Sequence, residues 1–239
     1  MNVSFARKVI LVSGGTGGLG QAVSLAFLEE GAKVVVTYRA AEGFAALQNV
    51  AGANSASLKG QQVDVTDEAA VVQLVDRIVA EHGRLDAMVN TIGGYAGGVK
   101  LWDLDTKVFD QMLALNLRAG YALSRAAIVP MLKQKAGAIV NVAAKAAFDH
   151  AAGASAYAAS KAAALAMIDS LAADAKGTGV RVNTILPSII DTAANRKAMP
   201  NADFSIWPKP EDIARVILFL CSDAAKVIHG AAIPVYGDS

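Results

Sequence analysis

Short apolar, β-branched runs recur along the chain as KVILV, AKVVVTY, LDAMVN, GAIVNV and VRVNTIL, separated by longer segments in which apolar positions return with helical period. Continuous apolar runs of this length predict strands buried on both faces, and their alternation with helices predicts a parallel sheet covered by helices, an α/β fold. No proline-rich or serine-rich linker and no low-complexity tract divides the pattern, and the alanine-rich stretch 143–175 suits helix. One domain over 1–239 is expected.

The run from Val9 to Leu28 carries no charge, follows Arg7 and Lys8, and is about long enough to cross a bilayer. Gly14, Gly15, Gly17, Gly18 and Gly20 interrupt its middle, where a spanning helix would need unbroken apolar residues, so it reads as strand, turn and a helix beginning near Gly18. With 239 residues, 54% of them hydrophobic and 18% charged, the chain can bury a large core. A formal net charge of +1, with no lysine or arginine run, argues against nucleic acid as a partner and for a small-molecule substrate. Cys221 is the only cysteine, so no intramolecular disulfide forms; a buried thiol and a reducing, cytoplasmic setting are expected, with no membrane partner.

SGGTGGLG, Ser13 to Gly20, lies directly after the strand KVILV and before a helix. Glycines there let the backbone turn sharply and approach a pyrophosphate, while free N–H groups at the helix start favour the anion. Gly14, Thr16, Gly18, Leu19 and Gly20 are the candidate cofactor contacts. Dinucleotide folds that use NAD commonly place a carboxylate at the end of the next strand, against the ribose hydroxyls. Here that strand ends VVVTYRA: Tyr38 stands where the acid would be, and the Arg39 guanidinium suits a ribose 2′-phosphate. NADP(H) is therefore favoured over NAD(H), the ordinary alternative being a solvated arginine after a strand.

The spacing of Gly14, Gly18 and Gly20, the QVDVT segment, the strand end at Asn90 and the stretch YAASK occur in an order that resembles the short-chain dehydrogenases/reductases, from RKVILVSGG to GAAIPVYG. The resemblance implies a single-domain, doubly wound Rossmann fold, a parallel sheet flanked by helices, with dinucleotide binding roughly in 1–137 and catalysis and substrate binding roughly in 138–239. It implies that Asp64 and Val65 border the adenine, Asn90 supports the cofactor-binding sheet, Gly93 passes close to the ribose, and Ile190 and Thr192 hold the nicotinamide carboxamide. Ser188 stands where the family usually has glycine. Tyr157 and Lys161 match the family's YxxxK, a spacing that puts both side chains on one helix face. Lys161 is expected to favour the Tyr157 phenolate and to contact the ribose. Asn116 matches the asparagine that links the lysine to solvent through a water. Catalysis is thus assigned to Tyr157, Lys161 and Asn116, with no metal. A homodimer or homotetramer is implied, formed through the helices after the fourth and fifth strands.

The family's active-site serine lies thirteen positions before the tyrosine, and that position is Ala144. Losing one donor to a developing oxyanion costs on the order of ~3 kcal/mol. Lys145 is close in sequence, but a structural or solvent-facing role suits it better than replacement of that donor. GGYAGG (93–98), AAKAAFD (143–149) and DTAANRKAMPNADFSIW (191–207) bear a narrower resemblance to the dihydropteridine reductase branch, which keeps the tyrosine and lysine without the serine. That resemblance implies hydride delivery to a conjugated quinonoid pterin ring, with Ala144 leaving room for a plane and Tyr95 and Trp207 as walls or lid residues. Asn116 and the strand end TYR instead follow the wider family. A carbonyl or imine reductase, or a cofactor-binding sensor or scaffold without turnover, are the other readings.

Overall fold

The computed structural model describes residues 4–239. Seven strands form one fully parallel sheet: β1 (Val9–Ser13), β2 (Lys33–Tyr38), β3 (Leu58–Gln62), β4 (Ala87–Asn90), β5 (Gly137–Val142), β6 (Val180–Pro187) and β7 (Ala232–Val235), in the order β3-β2-β1-β4-β5-β6-β7. The chain winds outward from β1 to one edge, returns, and winds from β4 to the other, so the sheet is doubly wound.

Period-two alternation sorts the strand residues onto two helical layers. Ile10, Val12, Val34, Val36, Val89 and Val140 share one core with Phe27 of α1 (Gly18–Glu29) and Ile217 of α8 (Pro210–Cys221). Val9, Leu11, Val35, Met88, Ile139 and Val182 face the other side. They pack with Leu74 of α3 (Glu68–His82), Leu123 of α5 (Ala119–Gln134) and Ile168 of α6 (Ser155–Asp174). Both sheet faces are therefore covered, which is why β1, β4 and β5 read as unbroken apolar runs. The edge strands each have one neighbour: β3, LKGQQ, is mostly polar, and β7, AIPV, is apolar but not buried.

Among the described residues three shorter α-helices join these: α2 (Ala41–Ala51), α4 (Thr106–Leu113) and α7 (Ala193–Ala198). Between α4 and α5 the helix continues through a π-helical turn, Ala114–Arg118, which contains Asn116. Such a widened turn breaks the regular backbone ladder, and Asn116 sits at that break. No helix among the described residues is long and apolar enough to cross a membrane.

The turn after β1 fixes how closely α1 approaches the sheet. Gly14 adopts φ +71°, a left-handed conformation that glycine accepts without steric cost. A Cβ on Gly20 would stand 2.1 Å from the Gly14 carbonyl oxygen and 2.8 Å from both Gly14 C and Thr91 Oγ1, so it has no room. We predict that Gly20→Ala destabilises the protein by about 2 kcal/mol or more, because the added methyl overpacks a backbone contact. Urea denaturation of the two proteins measures the difference.

Candidate active site

The functional groups converge where the strands end at their carboxyl termini, with the glycine turn at the centre. The Gly14 N–H donates to Thr37 Oγ1 (2.9 Å) at the end of β2, and Thr91 Oγ1 donates to the Ser13 carbonyl (2.6 Å) from beyond β4. The first turn of α1 has neither a side-chain cap nor an acidic residue, so its N–H groups are left for an anion. Gly17 and Gly18 are exposed there, and a Cβ on Gly18 would lie 2.7 Å from Thr192 Cγ2. The segment after β6 thus rests directly on the glycine turn. Thr192 caps α7 by accepting from the Asn195 N–H (3.2 Å), and the Ile190 carbonyl accepts from Asn195 Nδ2 (2.8 Å).

Thr16 faces α2, where a Cβ on Gly43 would approach it to 3.3 Å. Leu19 turns into the core and offers the cleft only backbone. Tyr38 is stacked on Phe44, with 5.0 Å between ring centroids, so it belongs to packing beside β2. The Arg39 side chain is exposed and makes no ion pair among the described residues, while its carbonyl accepts from Gln62 Nε2 (2.7 Å). Asp64 accepts from the Thr66 hydroxyl (2.7 Å) and N–H (2.9 Å), bonds that hold its carboxyl below the usual range, and Val65 is buried in the core beside α3.

Three buried polar side chains tie the strand ends together. Ser13 Oγ donates to Asn90 Oδ1 (2.8 Å), and Asn90 Nδ2 donates to Asn141 Oδ1 (2.9 Å), crossing β1, β4 and β5. Unpaired, each would carry a desolvation cost; paired, they fix the register of the sheet at the cleft floor. Sequence reasoning found Asn90 and missed Ser13 and Asn141, although a polar residue inside the apolar strand GAIVNV was the available signal.

Gly93 lies between the two groups that follow in chain order: a Cβ there would stand 2.9 Å from both Asn116 Oδ1 and Lys161 Nζ. Asn116 is buried and fully engaged. Its Oδ1 accepts from the Gly94 N–H (2.9 Å), and its Nδ2 donates to the Gly94 carbonyl (3.0 Å) and to Ser160 Oγ (2.9 Å). Ser160 Oγ donates in turn to the Tyr157 carbonyl (2.7 Å), so the π-helical turn, the loop after β4 and α6 are locked together. Ser160 is a second partner that the sequence reading did not single out.

Lys161 is buried, with Nζ donating to the Val142 carbonyl (3.2 Å), and burial pushes its pKa down to about 8. Tyr157 carries the opposite shift: burial first, and the neighbouring Tyr95 second, push its phenol up to about 12. Lys161 is not among the causes of that shift in the cofactor-free protein. The Tyr95 ring meets the Tyr157 ring edge to face at 4.9 Å. Ala144 is buried with an extended backbone and brings no hydroxyl to this end of β5. Lys145 does not replace it, since its ammonium lies 5.2 Å from the Tyr236 ring centroid and pairs with Asp149. Ser188 Oγ donates to the Tyr236 carbonyl (2.6 Å), turning toward the chain terminus. Trp207 is only 5% exposed and packs on Phe204, which lies under the Arg196 guanidinium. It anchors the segment from inside; it is not an exposed lid residue.

The arrangement fits a dinucleotide: a glycine turn that side chains would fill, an uncapped helix start for a pyrophosphate, and a buried ammonium with donors to spare beside Gly93. Among the described residues no group of three or more His, Cys, Asp or Glu could hold a metal ion.

Residues 8–203 match the family described as short chain dehydrogenase. D-threitol dehydrogenase of Mycolicibacterium smegmatis is 35% identical to this chain, with 96% of this chain and 92% of that protein covered. 3-oxoacyl-[acyl-carrier-protein] reductase FabG of Thermotoga maritima is 30% identical, with 96% of each covered. Among solved structures, ElxO with NADP bound superposes with a TM-score of 0.91 at 27% identity, covering 96% of this chain and 97% of that one. The extent of these matches, together with the doubly wound sheet and the site at its carboxyl edge, makes this chain a member of the short-chain dehydrogenase family and an oxidoreductase.

Proposed function

We propose that the chain is an NADPH-dependent reductase of a planar, conjugated ring of the quinonoid dihydropterin kind. The observation that carries this reading is the pairing of Tyr157 and Lys161 with a buried Ala144 that offers no hydroxyl. A substrate that spreads developing charge over a ring has less need of a single donor than an isolated carbonyl, and a small side chain leaves room for a plane. The exposed face of Tyr95 supplies an aromatic wall.

The bound dinucleotide would supply hydride. Gly14, Gly18 and the N–H groups of α1 hold its pyrophosphate, Gly93 lets the chain pass the ribose, and Asp64 and Val65 border the adenine, with Thr16, Leu19 and Gly20 shaping the turn. Ile190 and Thr192 position the reactive ring. Tyr157 holds a proton on its hydroxyl for the substrate, Lys161 contacts the ribose, and Asn116 fixes the backbone around both. An assembly of two or four copies in the cytoplasm accompanies this reading; Tyr121, Val129 and Leu132 along α5 expose apolar surface for it. The names of the curated relatives favour a second reading, oxidoreduction of a simple alcohol or carbonyl. Intact Tyr157 and Lys161 weigh against a sensor without turnover.

The exposed Arg39 and the absence of a carboxylate at the end of β2 support the preference for the 2′-phosphate. Arg39→Ala should weaken NADPH binding by about tenfold and leave NADH binding nearly unchanged. Titrating both nucleotides at one salt concentration checks this, and an unchanged ratio rejects the role.

Lys161 falls from 10.5 to about 8, so the unfolded chain binds more protons between those values. Its burial therefore destabilises the cofactor-free protein fully below about pH 8, and the penalty fades as pH rises toward 10.5. Lys161→Met should raise stability at neutral pH by up to ~3 kcal/mol, with the gain shrinking in alkali. Denaturation midpoints across pH measure it.

Ala144→Ser separates the two substrate readings. With quinonoid dihydropterin the added hydroxyl should bring little gain or a loss through crowding. With an activated ketone it should raise kcat/KM by about tenfold or more, part of the ~3 kcal/mol of one oxyanion donor. A gain confined to the pterin overturns the explanation of the missing serine.

A further inference from the structure

The loop after β4 carries four glycines in GGYAGG, and they differ in what they require. Gly98 needs its left-handed φ of +86°, whereas Gly97 has no such φ. What Gly97 lacks room for is a side chain: a Cβ there would stand 2.2 Å from the Tyr95 hydroxyl oxygen and 2.6 Å from Tyr95 Cζ. The outer end of the Tyr95 ring therefore lies directly on the bare backbone two residues later. From that seat the ring meets Tyr157 edge to face at 4.9 Å, although Tyr95 is itself 70% exposed. The exposed ring has the bare Gly97 backbone on one side and the Tyr157 ring on the other.

We propose that Gly97 is a positioning residue for Tyr95, and that the seated Tyr95 ring acts as a cover that keeps the proton on the Tyr157 hydroxyl. This rests on the reading of Tyr157 as the proton donor, and it adds that the donor's state is set from the loop after β4. The cover excludes water from one side of the phenol, and desolvation disfavours the phenolate. The direction of the Tyr157 shift agrees, with burial as its first cause; Tyr95 enters second, through charge rather than burial. The other titratable groups near this end of the site are accounted for. Lys161 lies one turn further along α6 and bonds the Val142 carbonyl. In the loop after β5, Lys145 pairs with Asp149 and His150 lies near the Ala147 carbonyl.

The test compares Gly97→Ala, Tyr95→Ala and the double variant, each with and without Tyr157→Phe, so that the phenolate absorption of Tyr157 is isolated by difference in the cofactor-free protein. Gly97→Ala and Tyr95→Ala should each lower the pH at which Tyr157 ionises, by on the order of one unit. The double variant should match Tyr95→Ala alone, since the methyl at position 97 has nothing left to displace. Tyr95→Phe, which keeps the ring, should retain most of the cover. NADPH affinity close to that of the parent confirms that each variant is folded. Additive shifts, or a Gly97→Ala titration identical to the parent, overturn the proposal. No substrate enters the titration, so its failure leaves the substrate reading standing, and loss of pterin turnover with an intact titration would strike that reading alone.

Discussion

The site depends on how closely the turn after β1 packs against its neighbours. Backbone lies against backbone at Gly14 and Gly20, Thr91 bonds the Ser13 carbonyl, and Thr192 rests on Gly18. One close-packed knot thus joins β1, α1, the loop after β4 and the segment after β6. Because the glycines add no side chain of their own, the N–H groups at the start of α1 stay uncapped, and the segment carrying Ile190 and Thr192 reaches the same cleft. A methyl group at the centre of this knot would separate all four pieces at once, which is why glycine is demanded there by contact as much as by conformation.

Around that knot the polar groups are sorted by whether anything inside the protein satisfies them. Asn90, Asn141, Asn116 and Ser160 spend their hydrogen bonds on one another and on backbone, so they hold the floor rigid and have little left for a ligand. Lys161 has one partner for three donors. In a low-dielectric pocket that imbalance lowers its affinity for a proton, while the same desolvation raises that of Tyr157. The two shifts run in opposite directions from one cause, the loss of water around both groups.

Where the sequence was legible, physics had forced a pattern. Strands with neighbours on both sides and helices on both faces are mainly apolar and β-branched, so β1, β2, β4, β5 and β6 could be read directly despite Asn141, Arg181 and Asn183, and the glycine turn was fixed by its place between strand and helix. The edge strands β3, LKGQQ, and β7, AIPV, had one neighbour each and no such pressure. The π-helical turn at Asn116 leaves no composition signal, because its cause is a hydrogen-bond network assembled from residues 22 and 44 positions away. Leu19 and Trp207 fitted a site by position, yet the structure spends both side chains on packing. Exposure and partnership are tertiary properties, and spacing alone does not carry them.

The missing hydroxyl at Ala144 gains its meaning from this sorting. A protein that had merely lost a donor could recruit another polar group nearby, and Lys145 is the obvious one; instead its charge lies against the Tyr236 ring and Asp149. Ser160 is occupied with Asn116 and the Tyr157 carbonyl, and Ser188 with the Tyr236 carbonyl. Close to Ala144 in sequence, Ala143 and Ala147 form an apolar cluster with Leu165 and Leu186. Tyr157 is kept and half-buried, while the family's serine hydroxyl is neither kept nor replaced. Such a site presents one hydroxyl and no second one beside it, which is the feature on which the proposed conjugated-ring substrate rests.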